Sequence, residues 1–167
     1  MSTVEKLSLE NFRNLSTQIV SFKPKVNCIF GENGNGKTNI LEAIYFSINK
    51  KSFRKKAGFQ QILSIDCGKP EILSKIVIKN DHFKDDFYSI LWKTDKYICL
   101  KNGHNKIRKP NSSCIFVSPF DSFHFHNESS YRRNLVDLLI SNFDLEYKKC
   151  LSDYNKALKQ KNQLLKY

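Results

Sequence analysis

No apolar run in this sequence approaches the ~20 residues that a membrane-spanning helix needs. Residues 1–9 also lack the charged, apolar and small-residue zones of a secretory leader. The expected location is therefore the cytoplasm, with no membrane partner. Closely spaced cysteines are lacking as well. Cys28, Cys67, Cys99, Cys114 and Cys150 stand singly, which argues against a disulfide framework and a zinc site and leaves small, reduced hydrophobes. His124 and His126 form an H-x-H, but no Cys or carboxylate ligand set accompanies them. Acidic residues are scarce: 16 stand against 28 Lys and Arg, a formal net charge of +12. That balance favours polyanions, although a Lys-, Asn- and Ile-rich compositional habit would raise the charge equally. No internal repeat, low-complexity linker or base-reading element such as a helix-turn-helix is present.

What remains is a folded chain. Hydrophobic residues make up 40% and charged residues 26% of 167 positions, enough for one domain with a core. Val4–Phe12 alternates like a strand, Ile19–Phe22 reads as a second, and the short apolar run Val26–Phe30, ending at Gly31, reads as a third that leads into a glycine-rich loop. From Thr38 onward, Ile40, Leu41, Ile44, Tyr45 and Ile48 have the spacing of an amphipathic helix. Strands are expected over 71–79, 87–93 and 96–101. Asn102-Gly103 supplies a tight turn into a return strand over 104–108, and a further short strand over 115–118 is stopped by Pro119. Beyond Ser129 the pattern is helical. Leu135, Leu138, Leu139 and Phe143 share a face, and Asp144 can N-cap a last helix. In that helix Leu151, Tyr154, Leu158 and Leu165 form a heptad-like seam, compatible with a coiled-coil arm or an ordinary surface helix.

The strongest motif is Gly31-Glu32-Asn33-Gly34-Asn35-Gly36-Lys37-Thr38, which fits G-x-x-x-x-G-K-[ST]. Glycines let backbone N–H groups turn inward into an anion nest, and the following helix aims its positive end at the same anion. Lys37 can reach the β and γ phosphates, and the Thr38 hydroxyl can ligate Mg²⁺. ATP and Mg²⁺ are the expected cofactors. Hydrolysis needs more, normally an acidic pair closing a second apolar strand. Asp66 and Asp121 each follow an apolar stretch, but neither is part of such a pair.

These blocks resemble a family. Leu7–Asn14 (L-S-L-E-N-F-R-N), the loop Gly31–Thr38 continuing as N-I-L-E-A-I-Y, and Lys51-Ser52-Phe53-Arg54 look like the RecF family of bacterial recombination proteins. So do Phe116–Pro119 and the later Tyr131–Asp137 block with its pair Arg132-Arg133. The first two blocks also occur, more loosely, in other ABC-type repair and chromosome-maintenance ATPases.

The resemblance implies an α/β P-loop NTPase. It would be an ABC-ATPase-like head with a mixed sheet and an antiparallel hairpin layer over residues 1–128. The start of a helical lid or arm over 129–167 follows, cut short. It further implies an ATP-dependent DNA-binding protein of replication and recombination repair that binds single-stranded or gapped DNA without base-sequence specificity. An ATP-dependent homodimer and recombination-mediator proteins would be partners. By the same analogy Arg13 and Asn14 lie near the nucleotide, and Arg54 with its lysine neighbours faces DNA. Lys50, Lys51, Arg54, Lys55 and Lys56 place five cations within seven residues around Phe53, a run that is otherwise a solvated loop. Arg132 and Arg133 can pair with Asp137 along a helix.

The chain stops before the family's signature and Asp-rich blocks, and Phe120 stands where the family carries an acid. Turnover is therefore expected only if the complementary half comes from elsewhere. Two other readings stay open: a non-catalytic nucleotide-binding or interaction module, and a P-loop ATPase of the overcoming-lysogenization type.

Overall fold

Period-two alternation builds the first part of the molecule. In β1 (Ser2–Phe12), Leu7 and Leu9 are buried while Lys6 and Glu10 are exposed. β3 (Glu71–Asn80) buries Ile72, Ser74, Ile76 and Ile78, and β4 (Asp86–Lys93) buries Tyr88, Ile90 and Trp92. The computed structural model describes residues 2–54, 57–80, 85–94, 96–107, 112 and 114–165. The chain divides into two units, Met1–Phe116 and Val117–Tyr167.

In the first unit, β2 (Leu15–Ser21), β5 (Lys96–Lys101) and β6 (Asn105–Lys106) complete a sheet of order β2-β1-β3-β4-β5-β6. Every described pairing is antiparallel. The described strands are thus the antiparallel layer of the head. The three-residue connection between β5 and β6, Asn102 to His104, holds Asn102 at φ 53 and Gly103 at φ 81, left-handed values that Asn and Gly tolerate. The return strand is shorter than the expected 104–108 span, and Arg108 lies outside the described residues.

α1 (Lys37–Asn49) packs on the sheet against β1 and β3. Its buried side is Glu42, Ala43, Tyr45, Phe46, Ser47 and Ile48, whereas Leu41 is 43% exposed. The expected apolar face is kept at Tyr45 and Ile48, with Ile40 and Ile44 partly buried against the core, and the buried side widens beyond it to residues 42, 43, 46 and 47. Small residues at 43 and 47 let helix and sheet approach closely. The Ser47 hydroxyl donates to the Ala43 carbonyl at 2.6 Å, and the Ser74 hydroxyl bonds to Ser47 at 2.5 Å. Phe46, fully buried, lies 5.3 Å from Trp92 in a stacked arrangement. Burial of a side chain of this size contributes about 1.5–3 kcal/mol. A short helix, α2 (Phe59–Ile62), which the sequence did not announce, closes the core with Phe59 and Ile62.

Two expected strands are not strands. Val26 and Phe30 are 89% and 90% exposed, and residues 26–30 have no strand pairing. A strand is secured by ladder bonds to a neighbour. Here the Asn27 side chain instead bonds the Lys23 N–H and C=O, each at 2.8 Å, closing a local turn with Lys25 at φ 75. Residues 115–118 also have no strand pairing. Pro119 does not stop a strand there but opens a helix, because an N1 proline lacks only an N–H that a helix leaves free anyway.

The second unit comprises α3 (Pro119–Asn127), α4 (Ser129–Phe143) and α5 (Leu145–Leu164). The Asp121 carboxylate accepts from the Ser118 N–H at the start of α3. Asp144 caps α5, accepting from the Tyr147 N–H at 2.9 Å. Successive helices are clipped by phenol–carboxylate bonds, Tyr131 to Asp121 and Tyr147 to Asp137, each at 2.5 Å. Asp137 therefore answers Tyr147 rather than the arginine pair. Arg132 turns back to the Phe125 and His126 carbonyls, at 2.9 and 3.3 Å, where a cation suits the C-terminal end of α3. No helix among the described residues is long and apolar enough to cross a membrane.

Candidate functional site

The glycine-rich loop and the start of α1 form the site. Gly31, Gly34 and Gly36 have φ of 147°, 90° and 81°, values that side-chain-bearing residues rarely adopt. Gly36 is also closed in. A Cβ there would stand 3.0 Å from both the Asn14 side-chain oxygen and a Leu15 methyl. The Lys37 ammonium folds back across the loop, donating to the Gly31 and Glu32 carbonyls at 2.8 and 2.7 Å. Thr38 is exposed on the first turn of α1, and that turn carries no acidic residue. Its N-terminal N–H groups and the Lys37 charge therefore offer an anion a positive field without a competing carboxylate.

A polar network runs beneath this loop. The turn joining β1 and β2 sets Arg13 at φ 56 and sends its side chain to Glu42, which is fully buried. Arg13 Nε and Nη2 reach the two Glu42 oxygens at 2.8 and 2.7 Å, a fork-on-fork pair. Arg54 Nε stands 3.3 Å from the same carboxylate, and the Ser52 hydroxyl donates to it at 2.5 Å. Arg54 Nη2 donates to Asn39 Oδ1 at 2.7 Å, and the Asn39 side-chain amide donates to Asn14 Oδ1 at 2.7 Å. The Asn14 amide in turn donates to the Gly34 carbonyl at 3.1 Å. Side chains thus link the glycine-rich loop continuously to the basic stretch. Of the pair expected near the nucleotide, Asn14 touches the loop, while Arg13 is committed to Glu42.

The basic stretch follows α1 directly. Lys50, at φ 57, ends the helix with its N–H bonded to the Phe46 carbonyl at 2.8 Å. Lys51 is exposed. Arg54 is drawn inward to Glu42 and Asn39, so it is a structural cation first. Lys55 and Lys56 lie outside the described residues. Phe53 anchors the segment, stacked on Phe116 at 3.7 Å and edge-on to Tyr45 at 5.7 Å. Burial pushes the Tyr45 phenol above its ordinary range, with Cys114 adding to the effect, so this anchor stays neutral.

Sequence reasoning missed Glu42, Ser52 and Asn39. A signal was available for Glu42: it falls between Leu41 and Ala43 and four residues before Phe46 in an apolar helix. An acid on the core side of a helix is rare unless it is paired.

A loop with left-handed glycines, a lysine folded over it and a helix directed at it, set on an antiparallel layer, defines a P-loop head of the ABC-ATPase kind. Residues 3–86 match the RecF/RecN/SMC N-terminal domain family. The chain belongs to that family, and its match within it is to the N-terminal part of RecF. The DNA replication and repair protein RecF of Bacteroides fragilis is 35% identical over 179 residues, covering 98% of this chain and 45% of the relative. RecF of Agathobacter rectalis is 36% identical over 176 residues, with the same coverage of 98% and 45%. The chain therefore spans somewhat under half the length of these relatives. Among solved structures, the recombination mediator protein RecF with ATP, of the RecFOR pathway, superposes with a TM-score of 0.77 at 28% identity. That match covers 99% of this chain and 45% of the other. An SMC ATPase head aligns with a TM-score of 0.63 at 21% identity, over 84% of this chain and 99% of that one; this shows the fold alone.

Proposed function

We propose that this chain is the nucleotide-binding head segment of a RecF-type protein of DNA replication and recombination repair, taking ATP with Mg²⁺ and contacting single-stranded or gapped DNA. The observation that carries the reading is the Gly31–Thr38 loop, with Lys37 poised over it at 2.7–2.8 Å. Phosphate oxygens would replace the Gly31 and Glu32 carbonyls as partners of Lys37. The N–H groups at the start of α1 would hold the same anion, and Thr38 would supply a hydroxyl to Mg²⁺. The network through Asn14, Asn39, Arg54 and Glu42 supports a role for ATP as a switch: tightening at Gly34 is felt at the cationic segment.

A solved relative is described with ATP, and an SMC relative by ATP-driven dimerization and DNA-stimulated activation. We extend the first to this chain as an expectation, and an ATP-dependent homodimer and DNA as partners follow from its kinship with the DNA replication and repair protein RecF. Recombination-mediator proteins are the expected protein partners, in the cytoplasm. Turnover of ATP to ADP and phosphate would need a carboxylate pair contributed from outside the described site.

The test is ATP binding and ATP hydrolysis on the same purified chain, with and without gapped DNA. Nucleotide binding with negligible turnover, and tighter DNA binding when ATP is present, is the expected result. DNA binding indifferent to ATP would overturn the switch.

A further inference from the structure

Beside the basic stretch lies a groove of about 460 Å³ whose walls include Lys50, Lys51, Arg54, Trp92 and Tyr97. Its aromatic wall is prepared by the sheet. Trp92 and Tyr97 are directly opposed across β4 and β5 and stack at 4.6 Å with 16° between their planes. Trp92 is held in turn by Phe46 at 5.3 Å and by Phe59, edge-on, at 5.1 Å. Trp92 is nearly buried, whereas Tyr97 is 38% exposed. Tyr97 is therefore a rigidly backed ring partly open to solvent. The Lys50 ammonium stands over that ring, 5.9 Å from its centroid. Lys50 itself ends α1 in the left-handed conformation.

We propose that this groove binds one unpaired nucleotide of single-stranded DNA, with Tyr97 as the platform for its base and Lys50 and Lys51 as contacts to the flanking phosphates. The proposal rests on the reading that the basic stretch faces DNA, and it adds the residue that distinguishes unpaired from paired strands. An aromatic face beside cations is the arrangement that single-strand binders use, because every base has a π-face while the backbone carries the charge. Stacking of a base outweighs a loose, exposed ammonium–ring contact. A base over Tyr97 would therefore displace Lys50, whose ammonium would pass to the adjacent phosphate. In duplex DNA the bases are already stacked and cannot reach the ring, so the duplex is left with the lysines alone. Arg54, bound to Glu42 and Asn39, holds the wall of the groove rather than the ligand.

The chain has one tryptophan, and it is the ring beneath Tyr97, so its emission reports the site directly. The experiment titrates the full chain with a short oligothymidylate and with a blunt duplex of equal phosphate count, following Trp92 fluorescence and, separately, anisotropy of labelled DNA. The expected result is a change in Trp92 emission with oligothymidylate only. Tyr97→Ala weakens oligothymidylate binding roughly 5- to 150-fold, with duplex binding changed less than about twofold. Tyr97→Phe retains wild-type affinity, and Lys51→Glu weakens both ligands. Tyr97→Leu keeps an apolar cover over Trp92 and is measured alongside, with melting curves, so that loss of fold is not mistaken for loss of stacking. If the Tyr97 variants weaken both ligands equally or neither, while Lys51→Glu still weakens both, the stacking platform is overturned and the DNA reading stands. If Lys51→Glu weakens neither, the DNA reading of this segment falls with it.

Discussion

Replacement of Glu42 by alanine removes the one acceptor that gathers Arg13, Ser52 and Arg54. The carboxylate is fully buried and receives two bonds from Arg13 at 2.7 and 2.8 Å, one from Ser52 at 2.5 Å and an ion contact from Arg54 at 3.3 Å. Removing one side of a buried ion pair costs about 3–5 kcal/mol, because the opposite charge is left without a partner. The Arg13 and Arg54 side chains retain 17% and 38% exposure, so both can regain some water, and the lower end, about 3 kcal/mol, applies. For a chain of this length each kcal/mol lowers the melting temperature by about 2–4 °C, giving a fall of roughly 6–12 °C. The assay is thermal denaturation followed by far-UV circular dichroism at neutral pH, with Glu42→Gln alongside. Glutamine keeps the shape and one acceptor oxygen but places an NH₂ against a guanidinium, so it should lie between alanine and wild type. An alanine variant melting within about 1 °C of wild type would refute the network as a structural element.

Gly36→Ala should lose nucleotide affinity as well as stability. A left-handed φ of 81° costs a residue with a Cβ about 1–2 kcal/mol, and the new carbon would press on Asn14 and Leu15 at 3.0 Å; isothermal titration with ATP and a melting curve read both effects. Asp86 gives a pH dependence. Burial raises its carboxyl, but hydrogen bonds from Lys101 and Tyr88 and the Lys101 charge outweigh this and hold it below the ordinary aspartate range. A folded value below the unfolded one means stability that is complete above the ordinary range, about pH 3.9, and lost as pH falls through the lowered value. The stability gap between wild type and Asp86→Asn should accordingly be constant near neutrality and shrink in acid, measured by melting across pH. Asp121 is also lowered, first by the Tyr131 hydroxyl and then by the Ser118 N–H; its carboxyl carbon should titrate below ordinary aspartates by NMR and return toward them in Tyr131→Phe.

How much of this was legible in the sequence depends on the range of the interaction that decides it. β3, β4 and β5 and the Asn102-Gly103 turn are written in local alternation and in residues that tolerate positive φ, and they fall close to where the sequence puts them. Asp144 likewise caps its helix through a bond three residues away. The left-handed glycine-rich loop before α1 was legible for the same reason, since its glycines and Lys37 act within eight positions. Residues 26–30 were not, because apolar content makes a strand only where another strand offers a ladder. The place of Glu42 on the buried side of α1 was not legible, because an acid looks solvent-facing until Arg13, from a turn 29 residues earlier in the chain, is brought to it. Pro119 could be read as a strand stop or a helix start; Asp121, two residues on, decides for the helix by capping Ser118.

The central claim is that the Gly31–Thr38 loop binds a nucleoside triphosphate. Isothermal titration of the purified chain with ATP and Mg²⁺, wild type against Lys37→Ala, tests it most directly. Saturable, Mg²⁺-dependent binding at one site per chain, abolished in Lys37→Ala with an unchanged melting curve, is the predicted result. Absence of binding in the folded wild type, or equal binding in Lys37→Ala, would contradict it.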